Sequence, residues 1–252
     1  MKLARLQKNL ALIFVALSVA FPLSGRASFA EGEEAYLKQD YYGAFLKFVP
    51  LSKQGDAGAQ AMIGRIYAQG TGAPRDLRTA AISYEQAAIK GHAAAQYQVA
   101  KMYANGAGVK QDPARAAEWM EKSAEQGVLW ALFEMGQMCK DGKGVPQSNV
   151  QALKWMNLAA ASKETPATTE TIRLAKAAAS ELSASMAPDQ IDESRKLVMQ
   201  WNKVKRVRDE QWQKAIFAPI ETRPPEPRPN DKRDDKGELI TPLSKDYFPQ
   251  AR

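Results

Sequence analysis

The chain has 252 residues, of which 45% are hydrophobic and 25% charged, values typical of a soluble globular protein. Its single cysteine and single histidine exclude an intrachain disulfide framework and any site that needs two of either residue. The formal net charge is +7, but residues 31–201 contain 19 basic and 19 acidic residues, so this part has no cationic excess suited to a phosphate backbone. We therefore expect no nucleic-acid partner.

Residues 1–30 are typical of an export signal. Three cations precede an apolar run over 10–23, which is short for a bilayer span that needs about 20 residues. The small residues Ser28 and Ala30 predict cleavage after Ala30. We expect a cleaved signal peptide and a periplasmic protein with no membrane insertion after cleavage. An uncleaved anchor in the inner membrane and secretion into the medium are the alternatives.

The middle of the sequence repeats with a period of 36 residues and without a gap. The aligned columns are Ala59, Ala95 and Ala131; Gly64, Ala100 and Gly136; Tyr67, Tyr103 and Cys139; Gly70, Gly106 and Gly142; Gly72, Gly108 and Gly144; Asp76, Asp112 and Ser148; Ala80, Ala116 and Ala152; and Ala88, Ala124 and Ala160. This agreement predicts three units, at about 56–91, 92–127 and 128–162. A half unit at 33–55 precedes them, with Glu33–Gln39 as a shortened first helix.

Each unit is predicted to form two helices. The first carries apolar residues at helical spacing and ends at Gly70 or its equivalents, where glycine adopts positive φ at little cost. The second begins after Asp76 or its equivalents, in a column of good N-cap residues. Because such pairs bury their apolar faces only against neighbouring pairs, we predict an all-α solenoid over 31–162.

This pattern resembles a known family of helical repeats. The best match is the stretch 103–112, followed by Ala116, Trp119, Lys122, Ala124 and Gly127. It resembles the Sel-one-like repeat, a relative of the tetratricopeptide repeat, over about Glu33 to Ala161. The departures are Ala73 and Pro74 in the loop, Ser83 in the Trp column and Cys139 in the Tyr column. The resemblance implies a right-handed α-solenoid that takes part in protein–protein interaction and has no catalytic residues.

The rest of the chain is predicted to be a cap and a tail. Residues 163–202 favour two capping helices, one over Thr171 to Met186 and one from Pro188, that shield the last repeat. Seven of the 14 prolines lie from Pro219 onwards, among charges of both signs. Such a segment buries too little apolar area to offset its ordering entropy, so we predict a disordered tail over 203–252.

The residues that could carry chemistry each have a structural interpretation. His92 falls where a first helix begins, and Cys139 falls in a core column, as a small buried hydrophobe would. Their offset along the helix axis is roughly 16 Å, too far for a nucleophilic dyad. Trp119 and Trp155 share a column that we assign to packing between units. We expect no enzyme activity, no cofactor and no metal.

The remaining candidate is a binding groove. In the related tetratricopeptide fold the first helices line the concave face. The positions expected to point into it are the aromatic residues Tyr97, Trp130 and Phe133 and the polar residues Arg65, Lys101 and Gln137. Aromatic side chains often dominate binding energy in such grooves. The alternative is that Trp130 and Phe133 pack under the C-terminal helices.

These features predict a non-enzymatic scaffold or adaptor of the bacterial cell envelope. It would be a monomer that holds a partner protein or peptide on the concave face of the repeats. One alternative is an exported hydrolase acting on the cell wall, which would require a pair of carboxylates outside cap positions. Another is a secreted factor acting on host partners.

Overall fold

The computed structural model describes the backbone of residues 21–217 and the side chains of residues 29–206. Over this range the chain forms ten helices and no strand. They are α1 (Phe21–Leu37), α2 (Tyr41–Lys53), α3 (Ala57–Gln69), α4 (Leu77–Ile89), α5 (Ala93–Asn105), α6 (Pro113–Glu125), α7 (Leu129–Asp141), α8 (Asn149–Ala160), α9 (Thr169–Ala184) and α10 (Pro188–Phe217). The chain divides into two compact units, Met1–Lys205 and Arg206–Arg252, and the helical repeats lie in the first.

From α1 to α9 each helix packs mainly on the helices next to it in sequence, which confirms a solenoid of helix pairs. The odd-numbered helices are the first helices of the pairs and the even-numbered ones, up to α8, are the second. Among the described helices none is both long and apolar enough to cross a bilayer.

The predicted caps set the helix boundaries. Asp76 accepts hydrogen bonds from the backbone N–H groups of Arg78 and Thr79, and Asp112 and Ser148 cap α6 and α8 in the same way. The first helices end at Gly70, Gly106 and Gly142, all in the left-handed region, as the sequence predicts.

The second glycine of each Gly-x-Gly loop joins one unit to the preceding one. Gly108 has φ +74°, and a Cβ at this position would overlap the Leu77 carbonyl and lie 2.8 Å from the backbone nitrogen of Arg78. The loops at Gly72 and Gly144 approach the starts of α2 and α6 in the same way. The loop of each unit therefore packs directly on the backbone at the start of the preceding second helix, where only glycine fits.

The turns between units are also held by side chains. The ammonium of Lys90 donates to the carbonyl of Gly55, and the Gln126 side chain, one period later, donates to the carbonyl of Gly91 at 3.0 Å. One period after Gln126 lies Ser162, whose hydroxyl instead donates to the Leu158 carbonyl of α8. Trp201 and Lys205 of α10 lie within 4 Å of the Cβ position of Gly127, so α10 contacts this third turn.

Two helix boundaries differ from those predicted. The first helix of the N-terminal pair is not a short segment over Glu33–Gln39, because α1 extends back to Phe21 and through Ala30. The last helix does not end near residue 202, because α10 continues to Phe217, before the first proline of the tail. Residues 1–20 and 218–252, which include most of the predicted signal peptide and tail, lie outside the described residues.

His92 is the N-cap residue of α5, at the start of a first helix as predicted. Its Nδ1 accepts a hydrogen bond of 3.2 Å from the backbone N–H of Ala95, the role that Asp56 has one unit earlier. Burial lowers the pKa of His92 from its ordinary value of 6.5. A protonated Nδ1 cannot accept the capping bond, so the cap requires the neutral ring.

The stability of the protein should therefore fall as pH drops below about 6.5. In this range the unfolded chain binds a proton more readily than the folded chain, whose His92 pKa is lowered. We expect a loss of about 1 kcal/mol, the usual contribution of an N-cap. Urea unfolding between pH 7.5 and 5 measures it. His92→Asn, which can cap but not titrate, should lack this component, and an unchanged pH dependence in that variant would contradict the assignment.

Candidate partner-binding face

The surface of the first helices is built around polar contacts between neighbouring pairs. On α5, the Tyr97 hydroxyl donates to Glu134 Oε1 at 2.7 Å, and the Lys101 ammonium donates to the same oxygen at 3.1 Å. The Lys101 nitrogen also lies 5.9 Å from the centre of the Tyr97 ring. Glu134 belongs to α7, so these bonds join the second and third units.

A related contact joins the first two pairs. The Tyr36 hydroxyl of α1 donates to the Gln69 side chain of α3 at 2.8 Å, and the Arg65 guanidinium lies 5.0 Å from the centre of the Tyr36 ring. We call the surface that carries Tyr36, Arg65, Tyr97, Lys101, Trp130, Glu134 and Gln137 the first-helix face. Arg65 and Lys101 therefore both occupy positions beside an aromatic ring on this face.

The structure separates the two aromatic residues of α7. Trp130 is 45% exposed, whereas Phe133 is partly buried and packs against the large C-terminal core. Partly buried residues of α10, Ile191, Val198 and Trp201, pack against that same core. Gln137 is exposed. Trp130 is therefore available to a partner, and Phe133 contributes to packing.

Tyr97 is held in its neutral form. Burial, and then the hydrogen bond to Glu134, raise its pKa well above the ordinary value of 10.0. The phenol therefore remains a hydrogen-bond donor over the physiological range. Because its proton is committed to Glu134, Tyr97 offers a partner its ring and not its hydroxyl.

The residues considered as catalytic candidates have structural roles. Cys139 is buried in the core as predicted, and burial raises the pKa of its thiol to about 11, which disfavours the nucleophilic thiolate. His92 accepts a backbone hydrogen bond. Over the described residues no three His, Cys, Asp or Glu side chains are grouped so that they could hold a metal ion.

One cleft lies away from this face. It has a volume of about 340 Å³ and lies between α8, α9 and α10, with Leu153, Asn157, Ala160, Lys176, Ala179, Ser180, Ser183, Ile191 and Arg195 as its lining. Lys176 and Arg195 are its charged groups, and Arg195 is already paired with Asp192 at 2.9 Å. The lining contains no carboxylate, so the cleft offers no pair for glycoside hydrolysis.

The sequence interpretation missed two residues of this face, Tyr36 and Glu134, and Glu134 makes the contacts between the second and third units. Glu134 shares its column with Met62 and Gln98, so the repeat alignment does not single it out. Its position, 33 residues after Lys101, is a usable signal, because residues about one period apart meet on adjacent first helices.

The comparisons with known proteins agree with this architecture. The Sel1 repeat family matches residues 57–92, 93–128 and 131–163. A Sel1 repeat protein from Oxalobacter formigenes is 29% identical, with a TM-score of 0.53 over 58% of this chain and 60% of that one. A protective antigen of uropathogenic Escherichia coli with an SLR fold is 26% identical, with a TM-score of 0.56 over 75% of this chain and 41% of that one. The chain thus spans less than two thirds of either structure. No curated protein matches it.

Proposed function

Since this chain is a Sel1-repeat protein, a member of a family whose repeats generally mediate protein–protein interaction, we propose that it is a non-catalytic adaptor of the bacterial cell envelope. In this proposal it holds a partner protein or peptide on the first-helix face, which corresponds to the concave face expected from the related tetratricopeptide fold. Proteins of this family are typically interaction scaffolds without catalysis.

The exposed indole of Trp130 carries the proposal. Large aromatic side chains are enriched among the few residues that dominate binding energy. Trp130 lies on α7, one turn from Phe133, which packs against the C-terminal core, and close in sequence to the Glu134 contacts. A preorganised surface loses little entropy when it binds.

The charges of the first-helix face favour a partner segment whose polar backbone groups flank an apolar side chain. Lys101 is paired with Glu134, and both side chains are partly exposed, so neither needs to be neutralised by the partner. Arg65 lies against an aromatic ring and is exposed. We propose a partner segment with an apolar side chain for Trp130 and hydrogen-bonding groups for Arg65 and Gln137.

Localisation in the periplasm is part of the same proposal. The basic start of the chain, the apolar run over 10–23 and the small residues after it support export to the periplasm.

Trp130→Ala should remove partner binding without unfolding the protein. We expect partner recovery to fall roughly thirtyfold, as for loss of a contact of about 2 kcal/mol, while the unfolding free energy changes by less than about 0.5 kcal/mol. The measurement is quantitative mass spectrometry of proteins captured from envelope fractions after reversible crosslinking.

Leu46→Ala is the matched control, because Leu46 is also exposed, at 53%, but lies on a second helix. It should leave recovery unchanged. Equal recovery with Trp130→Ala and the unaltered protein would refute binding through this indole.

A further inference from the structure

The helix α1 includes residues that the expected cleavage after Ala30 would remove. It covers Phe21–Leu37, and cutting after Ala30 would leave only seven of its residues. A helix of two turns is marginal by itself and depends on packing. The contacts of α1 therefore indicate where the mature chain must begin.

Phe29 is part of the N-terminal core. Its ring centre lies 5.3 Å from that of Phe48, a fully buried residue of α2. On its other side, a Cβ added to Gly58 of α3 would lie 3.0 Å from the Phe29 ring. Phe29 thus fills the space between α2 and α3, and its removal would uncover the ring of Phe48.

The register of α1 shows that it is a full first helix. A Cβ on Gly32 would lie 2.7 Å from the Phe48 ring, just as one on Gly64 would lie 2.9 Å from the ring of Tyr84. Phe48 and Tyr84 are one period apart, so Gly32 corresponds to Gly64, with a loop four residues shorter. By this alignment Phe29 corresponds to Ala61, in the middle of α3.

The same register explains the exposed side of α1. Glu31 and Glu34 are exposed at the positions that correspond to Ile63 and Ile66, which are buried in the next pair. Glu31 also pairs with Lys47 at 2.6 Å. A terminal repeat needs such a polar outer surface, because no further unit covers it. The first pair is therefore a capping repeat, and its core includes Phe29, which lies before Ala30.

We infer that, given the export we propose, signal peptidase cuts after Ala27 and the mature protein begins at Ser28. Gly25 and Ala27 supply the small-x-small pattern that the peptidase recognises. Water hydrolyses the Ala27–Ser28 peptide bond, which leaves a carboxylate on the released signal and a free amine on Ser28.

The new N-terminus begins a helix well. In a chain that begins at Ser28, Ser28 and Glu31, three residues later, match the Ser-x-x-Glu sequence pattern of a capping box. The carboxylate of Glu31 can accept from the new ammonium of Ser28, a charge-assisted pair. Cleavage after Ala30 would remove both Phe29 and this cap.

The test is the N-terminal sequence and intact mass of the full-length protein isolated from the periplasm. We expect a chain that begins Ser-Phe-Ala-Glu. A chain that begins at Glu31 would overturn this inference and leave the export proposal intact. A chain that retains Met1 would overturn cleavage at either site, and recovery of the protein from the cytoplasm alone would overturn the export proposal.

A matched pair of variants tests the site directly. Ala27→Tyr should block processing and cause the precursor to accumulate, because a bulky residue does not fit next to the cut. Ala30→Tyr, at an exposed position, should leave processing unchanged. The opposite pattern would place the cut after Ala30.

The structural role of Phe29 gives a second readout. In the mature chain, Phe29→Ala should lower the urea midpoint of unfolding, whereas Ala30→Ser should not. An unchanged midpoint in Phe29→Ala would remove the reason for retaining this residue.

Discussion

Gly108→Ala should lower the free energy of unfolding by about 3 kcal/mol. At φ +74° an alanine costs about 1–2 kcal/mol by its backbone conformation alone. Its Cβ would also overlap the Leu77 carbonyl, and the shift needed to relieve this overlap costs about 1–3 kcal/mol. Chemical unfolding followed by circular dichroism measures the sum.

Gly91→Ala is the matched control. Gly91 has φ +85°, close to that of Gly108, but an added Cβ would have no neighbour within 4 Å. We therefore expect only the conformational cost, about 1–2 kcal/mol. Equal losses at Gly91 and Gly108 would show that the contact with Leu77 does not hold the units together.

Trp155→Ala should cost about 3–5 kcal/mol, because Trp155 is the largest fully buried side chain among the residues that the structure describes, at 1% exposure. It lies in the C-terminal core on α8, where the third unit meets the cap. The cavity cannot collapse easily, since helices pack around it on both sides. The measurement is again the free energy of unfolding in urea.

Trp119→Ala tests whether the stability lost with a tryptophan depends on how deeply that tryptophan is buried. Trp119 occupies the same column one unit earlier but is only partly buried, with Lys122 4.2 Å from its ring centre. We expect its loss to cost less than about 2 kcal/mol, in proportion to the apolar area that it buries. A cost as large as that of Trp155→Ala would contradict the packing described here.

The repeat itself could be predicted because each of its defining residues has a local physical reason. Gly70 and Asp76, with their equivalents, end one helix and begin the next, and these requirements return in every unit. The sequence also identified Cys139 and His92 as structural residues, because their columns carry core and cap positions in the other units.

The N-terminal pair could not be predicted in full from the period. Its loop is four residues shorter, so Gly32 does not fall 36 residues before Gly64 and the register is lost before the loop. The apolar and small residues around Phe29 also fit the end of a signal peptide, and this interpretation concealed a helix. The contact of Gly32 with Phe48 restores the alignment.

The candidate face was predicted in part. Tyr97 and Lys101 do lie together on it, but the period does not show that Glu134 joins them, because contacts between units depend on how neighbouring helices pack. Trp130 and Phe133, predicted to act alike, differ in burial. A helical turn separates them, and only the position of the core decides which of the two is covered.

The central claim, that the first-helix face holds a partner, is tested most directly by photo-crosslinking in living cells from a residue placed at Gln137. This position is exposed on α7, and Glu118, exposed on the second helix α6, is the control. We predict a discrete adduct with one partner from Gln137, absent from Glu118 and lost when Trp130→Ala is added. A folded, exported protein that gives no adduct from Gln137, or the same adduct from both positions, would contradict the account.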